Sequence, residues 1–497
     1  MDPLFEIRVD LASRGSRDAS QSLCRQLKEA IIDGRLAPGV RLPATRKAEQ
    51  FFGVSRNTAA DVYERLLSEG YVVTRRGAGT YVADRAPAER PRASRNHEEA
   101  PNHRLNEFWL RADVTSAMGF WQDRSESPPR APDLPRIDFR PALVDSRLFP
   151  FDELRRVSAR QLRKLEREPA SYKSPQGNQG NFSLRAAITK HIAQTRAVVC
   201  EADDILVTSG AQQAFDLLAR VLVTPGQTVV AVEDPGYPPM RVAFGAAGAR
   251  LAPVGVDAQG LIVEQLPSDA GVICLCPSHQ FPLGVTMSMG RRKELLEFAR
   301  SRGAVIVEDD YDGEFRYEGN PLAALRTPEA ADVVFYVGTF SKCMLPALRL
   351  GFVAAPAWVM GALVSAKNCL DWHCSTPIQM AVASFISEGL LTHHVRRMRE
   401  IYRQRRRLLL AALQKDLGKW LDLIPSSYGM HVAAIARGPL NLDDVVQNLS
   451  SNNVKLHTLG RYFLAAPTHV GLVLGYGAVD LGQIRQGVSL LRAALID

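Results

Sequence analysis

The chain has 497 residues, 46% of them hydrophobic and 23% charged, with a net charge of +8. That length exceeds what one hydrophobic core supports, so at least two domains are expected. The composition excludes a disordered or collagen-like chain. No stretch approaches the ~18 apolar residues of a membrane span, and residues 1–17 mix Asp, Glu and Arg among apolar residues, so a cytoplasmic protein is expected.

Residues 18–84 read as one pattern. Leu23, Leu27 and Ile31, at spacing four, predict a helix over 19–33, with Gly34 in the place of a C-cap glycine. Leu36-Ala37-Pro38-Gly39 is a turn signal. A short helix is expected over 45–52, closed by Gly53. Ser55 then caps a helix running to about residue 68, with Val62 and Leu66 on its inner face and Gly70 after it. Segments 71–74 and 80–83 read as strands joined by Arg75-Arg76-Gly77-Ala78-Gly79. Three helices and a basic hairpin make a winged helix-turn-helix.

From 87 to 136 prolines, arginines and acidic residues mix, and residues 91–136 carry 7 basic against 7 acidic side chains, which reads as a linker. Phe108, Trp109, Phe120 and Trp121 make its middle too apolar for a free tether, so part of it is expected to dock on a domain. Beyond it, strand-like runs at 205–207, 229–232, 272–276, 305–307, 333–337 and 350–354 alternate with helical stretches. That predicts an α/β domain with a largely parallel sheet. A long helical run from about 371, then short strands near 431–436, 455–458 and 470–474, predict a smaller C-terminal lobe. The expected organisation is a winged helix over 1–86, a linker over 87–136 and an α/β domain over 137–497. Seven scattered cysteines with no CxxC pair argue for reduced thiols, and no metal site is expected.

A recognition helix presents small polar or basic residues at its N-terminal end, where they reach base edges and phosphates. Ser55, Arg56, Asn57 and Thr58 supply them. Arg56 suits a guanine edge or a phosphate, and Asn57 an adenine. Arg41 and Arg46 are expected at the start of the preceding helix, placed for the backbone, and Arg75, Arg76 and Thr80 lie on the wing. The partner expected is a double-stranded DNA operator. Charge alone would not identify it: residues 1–90 hold 15 Arg and Lys against 12 Asp and Glu.

A second constellation lies in the α/β domain. Lys342 ends Gly338-Thr339-Phe340-Ser341-Lys342, just after an apolar strand. Asp309 lies at a strand end, with Tyr311 two residues on and so on the same side of an extended chain. Asp310 and Asp312 compete with Asp309 on sequence grounds. Gly210, Ala211 and Gln212 open a helix after a strand, a ready phosphate site, and Arg349 can add a charge-assisted bond. Tyr237 follows another strand. A Schiff-base lysine, a carboxylate for a pyridine nitrogen, phosphate donors (Thr339 and Ser341 among the cofactor contacts) and an aromatic face are what pyridoxal 5′-phosphate (PLP) requires.

The residues Arg41 to Arg46, Gly53 to Thr58, Glu69-Gly70-Tyr71 and Gly77 to Val82 closely resemble a GntR-type winged helix, with Ala48-Glu49 departing from the usual Leu-Ala. Phe149-Pro150, Gly210 to Gln213, Glu233 to Pro238, Pro277 to Pro282, Glu308 to Asp312, Gly338 to Lys342 and Arg396 to Arg399 resemble a fold-type I aminotransferase. Together the chain resembles the MocR subfamily of GntR regulators. The resemblance implies Lys342 as the aldimine lysine, Asp309 on the pyridine nitrogen, Tyr311 near the ring oxygen and Arg349 on the phosphate. It also implies a homodimer with crossed-over DNA-binding domains.

Departures matter. Phe281 stands where aminotransferases carry Asn, Leu283 replaces a Thr, and the segment 176–181 is three residues longer than in relatives. Arg461 is the candidate for an effector carboxylate. The expected function is a regulator that senses PLP, a small amino compound, or both, at Lys342. An active aminotransferase is the alternative, and a cofactor-free dimerisation domain a third possibility.

Overall fold

The structure is a computed structural model; it describes residues 17–75, 77–84, 105–119, 137–167, 177–319 and 322–496, with backbone alone at 17, 18, 48 and 49. It divides into two compact units, Met1–His103 and Arg104–Asp497. Among the described residues no helix is long and apolar enough to cross a membrane.

In the first unit the helix signalled by the four-residue spacing spans Arg17–Ile32 and buries Leu23, Leu27, Ala30 and Ile31. The continuous helix expected over 45–52 is instead a 3-10 turn, Thr45–Lys47, and a short helix, Ala48–Phe52. Five residues carry no helical stability of their own; the buried ring of Phe52 anchors them in the core. Ser55 caps the helix Arg56–Ser68, its Oγ accepting from the Thr58 N–H at 3.2 Å. Ala59, Val62, Tyr63 and Leu66 recur at helical spacing and join Leu23 and Leu27 in one cluster. Gly70, at φ +80°, closes the helix, and the Tyr71 N–H reaches back to the Leu66 carbonyl at 2.9 Å. Strands Val72–Arg75 and Gly79–Val82 pair antiparallel, Val72 opposite Val82 and Arg75 opposite Gly79. Val72 and Val82 seal the core while Thr74 and Arg75 stay exposed.

The second unit is built on an eight-stranded mixed sheet. Its order is Ile205–Thr208, Gly351–Ala354, Val334–Thr339, Val305–Asp310, Ala270–Leu275, Val229–Asp234, Arg250–Asp257 and Gly260–Leu261. The five strands from Val334–Thr339 to Arg250–Asp257 run parallel, and Gly351–Ala354 is antiparallel to both neighbours. The inner strands are buried on both faces, which is why they read as unbroken apolar runs. Arg250–Asp257 is absent from the strands predicted by sequence. Pro253 interrupts its apolar pattern, and a position near the sheet edge tolerates the missing N–H.

The helical run predicted from about 371 resolves into Thr376–Ser387 and Leu390–Leu417, parted at Gly389 (φ +77°). A four-stranded antiparallel sheet, Leu421–Leu423, His431–Ala436, Gly471–Gly475 and His457–Thr458, shares a core with Leu390–Leu417 and Leu481–Ile496. Ile137–Asp138 pairs in parallel with Val454–Lys455 and ties residue 137 to this lobe.

Of the stretch read as linker, residues 105–119 pack within the second unit. The turn Glu107–Leu110 and helix Ala112–Met118 set Phe108, Val114 and Ala117 against Val242, and Phe108 against Gly245, on the helix Pro238–Ala246. Trp109 is 52% exposed and does not anchor the contact. Phe120 and Trp121 lie outside the described residues.

Candidate cofactor site and nucleic-acid interface

Parallel strands leave their C-terminal ends on one side of the sheet, and ligand sites form in the crevice there. A cavity of about 580 Å³ occupies that position. Its wall brings together Lys342, Asp309, Tyr311, Tyr237, Ala211, Gln212, Thr339, Ser341 and Arg349 of the residues singled out by sequence. Gly210 adjoins them as the N-cap of the helix Ala211–Leu222. Met118, Ala142, Pro239, Phe281, Pro346 and Ala347 complete the wall.

The strand Val305–Asp310 and the turn after it carry four buried carboxylates, and their partners tell them apart. Glu308 accepts the Leu325 N–H at 2.9 Å. Asp310 takes Arg196 Nε at 2.6 Å and the Tyr336 hydroxyl at 2.5 Å. Asp312 holds His279 Nδ1 at 3.0 Å. Asp309 receives only a long contact from Cys276 Sγ, 3.8 Å, to one oxygen, and its other oxygen has no partner among the described residues. Burial, with Asp310 and Asp312 beside it, pushes Asp309 up to about 8. A protonated pyridine nitrogen would satisfy this oxygen and restore the charge, so the residues fit PLP where Asp310 and Asp312 do not.

Lys342 Nζ donates to the carbonyl of Ala142 at 2.7 Å. Burial lowers its pKa to about 8, against the pull of Asp312 and Asp309. A lysine so lowered holds a sizeable neutral, nucleophilic fraction near neutral pH. Opposite, Gly210 opens its helix at φ +80°, and Arg349 Nη2 donates to the Ser209 carbonyl at 3.0 Å. A Cβ at Gly210 would stand 3.0 Å from that nitrogen, so a helix N-terminus and a guanidinium converge with only a hydrogen between them. Thr339 Oγ1 and Ser341 Oγ lie 3.0 Å apart beside them.

Phe281 meets both Tyr237 and Tyr311 edge-on, each at 5.6 Å between centroids and 88° between planes. Its phenyl edge offers no donor where an Asn would. Arg461 is not among the cavity-lining residues. It is exposed on the turn Leu459–Tyr462, because Tyr462 takes the buried place and its carbonyl is held by Arg241. Sequence reasoning missed Ala142, Met118, Cys276 and His279 as site residues. Ala142 acts through its backbone, at φ +59°, and Met118 comes from the presumed linker, so neither carried a signal. His279 stands in a quoted motif without a role.

In the first unit Arg56 and Asn57 are exposed on the first turn of the helix Arg56–Ser68, while Ser55 Oγ is engaged as its cap and lies 2.9 Å from Thr58 Oγ1. Arg46 is exposed on the 3-10 turn. Arg41 is not on a helix; it bridges to Tyr81 of the wing, its guanidinium near Gly79. Arg75 covers the Tyr81 ring at 4.7 Å, and Thr80 is half-buried between the strands. Arg76 lies outside the described residues.

A winged helix joined to an aminotransferase fold defines a GntR-type regulator with an aminotransferase-like domain. Residues 19–82 match the bacterial regulatory proteins of the gntR family, and residues 145–450 match aminotransferase class I and II. The chain is 34% identical to the probable rhizopine catabolism regulatory protein MocR of Rhizobium meliloti, over 97% of this chain and 95% of that protein. It is 30% identical to the pyridoxine biosynthesis transcriptional regulator PdxR of Corynebacterium glutamicum, over 98% of this chain and all (100%) of that protein. LysN, the α-aminoadipate aminotransferase of Thermus thermophilus, solved with N-(5′-phosphopyridoxyl)-L-leucine, superposes with a TM-score of 0.70 at 27% identity, covering 79% of this chain and 97% of LysN. The chain belongs to the MocR subfamily of GntR-type regulators, and its fold implies PLP binding.

Proposed function

We propose that this protein is a transcription regulator of the cytoplasm that grips a double-stranded DNA operator through its winged helix and reads PLP, alone or joined to a small amino compound, at Lys342. The observation that carries the reading is the buried oxygen of Asp309, without a partner among the described residues, in the cavity that Lys342 lines. PLP supplies an electrophilic carbon and an electron-sink ring. Lys342 would hold it covalently, Asp309 would hold its ring nitrogen, and Arg349 with the helix N-terminus at Ala211 would hold its phosphate. The protein acts as a homodimer, and an effector shifts the placement of the DNA-binding domains only by binding one arrangement more tightly than another.

Met118 gives that coupling a physical route. The segment leading to the winged helix ends in a cavity-lining residue, so a ligand that presses on this wall presses on the linker. Phe281 argues against efficient transamination, since it offers no polar contact to the cofactor. The test is an absorption spectrum of the protein beside Lys342→Ala, followed by operator affinity with and without PLP and a panel of amines. A visible band lost in the variant, and an operator affinity that follows the band, are expected. Absence of the band after PLP addition, or sustained turnover with a keto acid, would overturn the reading.

A further inference from the structure

The ring oxygen of PLP needs a donor; Phe281 offers none, and the phenol of Tyr311 beside it lines the same cavity. Which way that phenol points is decided behind it. Tyr311 Oη lies 2.7 Å from His279 Nδ1, and the same nitrogen lies 3.1 and 3.0 Å from the two carboxylate oxygens of Asp312. His279 is 2% exposed and Asp312 1%.

One ring nitrogen holds one proton, so two arrangements compete. With Nδ1 bare, Tyr311 donates into it, and the Asp312 carboxylate then faces a lone pair in a buried site. With a proton on Nδ1, His279 donates toward Asp312, and the Tyr311 oxygen can only accept on that side. Its own proton must then turn elsewhere. Among the described residues no other donor reaches the Asp312 carboxylate, and a buried acceptor left unmet is costly, so the second arrangement wins. The neighbouring His431 does not compete. Its Nε2 donates to the Pro282 carbonyl at 2.9 Å, its ring lies 4.7 Å from that of His279, and burial keeps it uncharged.

We propose that His279, held by Asp312, is a positioning residue that turns the Tyr311 proton into the cavity, toward the ring oxygen of PLP; this rests on the PLP reading above. A donor on that oxygen favours the state with more negative charge there, which is the state in which the lysine-linked nitrogen has lost its proton. Removing the donor therefore raises the pH midpoint of the visible band, by about 0.5–1 unit for one hydrogen bond.

The experiment titrates that midpoint in the PLP-loaded full chain for the wild type, His279→Leu, Tyr311→Phe and the double variant. Asp309, Cys276, Glu233 and Lys342 also face this region and are unchanged in all four. Without the His279 donor the buried Asp312 carboxylate is left unmet and draws the Tyr311 proton back to itself. His279→Leu should therefore raise the midpoint as far as Tyr311→Phe does, and the double variant should go no further, since both act through one proton. His279→Asn, whose amide can still donate to Asp312, should restore the wild-type value. Should His279→Leu fail to fold, His279→Phe carries the test, because it also removes the Nδ1 proton while keeping a planar ring and the Asp312 charge, and the midpoint must again rise. An unmoved midpoint in a folded His279→Leu or His279→Phe protein, or additive shifts in the double variant, would overturn the proposal while leaving the PLP reading intact. A wild type with no band would remove both.

Discussion

Arg349→Ala is the sharpest probe of where a phosphate sits. Arg349 follows the turn Pro346–Leu348 at φ +46°, a left-handed conformation that costs an L residue about 1–2 kcal/mol. Alanine has the same Cβ and meets nearly the same cost, so this term cancels in the comparison. What differs is the guanidinium, which stands against Gly210 and donates to the Ser209 carbonyl. A charge-assisted bond to phosphate is worth about 1.5–3 kcal/mol, so PLP affinity should fall roughly 10–150-fold. Arg349→Lys keeps the charge without the planar fork and should fall between. Titrating the cofactor-free protein with PLP and following the visible band measures the loss. A thermal melt without PLP checks that the fold is intact. An unchanged affinity in a folded variant would refute the phosphate's place at this helix N-terminus.

Four further outcomes are expected. Asp309 is raised from its ordinary range to about 8. Its contribution to the stability of the empty protein is therefore present below about pH 4 and lost as pH rises to about 8, and Asp309→Asn should flatten the urea midpoint over that window. Leu66→Ala, at a fully buried site of the winged helix, should destabilise that unit by about 2–5 kcal/mol and abolish operator binding at warm temperatures. Arg56→Ala should weaken operator binding and lower its salt slope by about one, and an unchanged slope with relaxed sequence preference would move Arg56 to a base edge. Val114→Asp should speed proteolytic cleavage of the linker, because a seven-residue helix depends on its docked face; an unchanged cleavage pattern would show that the contact does not hold the segment.

Much of this molecule was legible from local chemistry. The helix Arg56–Ser68 could be placed because Ser55, Val62, Leu66 and Gly70 each act within a few residues of themselves. The inner strands could be placed because burial on both faces demands unbroken apolar runs, and the motif around Lys342 because a strand end is a local event. Properties that depend on distant partners were not legible. Asp309, Asp310 and Asp312 are alike in sequence, and only Arg196, Tyr336 and His279, brought in from other elements, leave one carboxylate oxygen open. Pro253 hid a strand near the sheet edge whose existence depends on pairing with Val229–Asp234. Arg461 looked available until the turn around it showed Tyr462 in the inward place. Ala142 and Met118 reach the cavity through a backbone carbonyl and a docked linker, neither of which leaves a mark on residue type. Sequence alone settled which groups the chain possesses and the local elements that carry them; only tertiary packing settled which stay unpaired, because hydrogen bonding and desolvation are decided by neighbours far away along the chain.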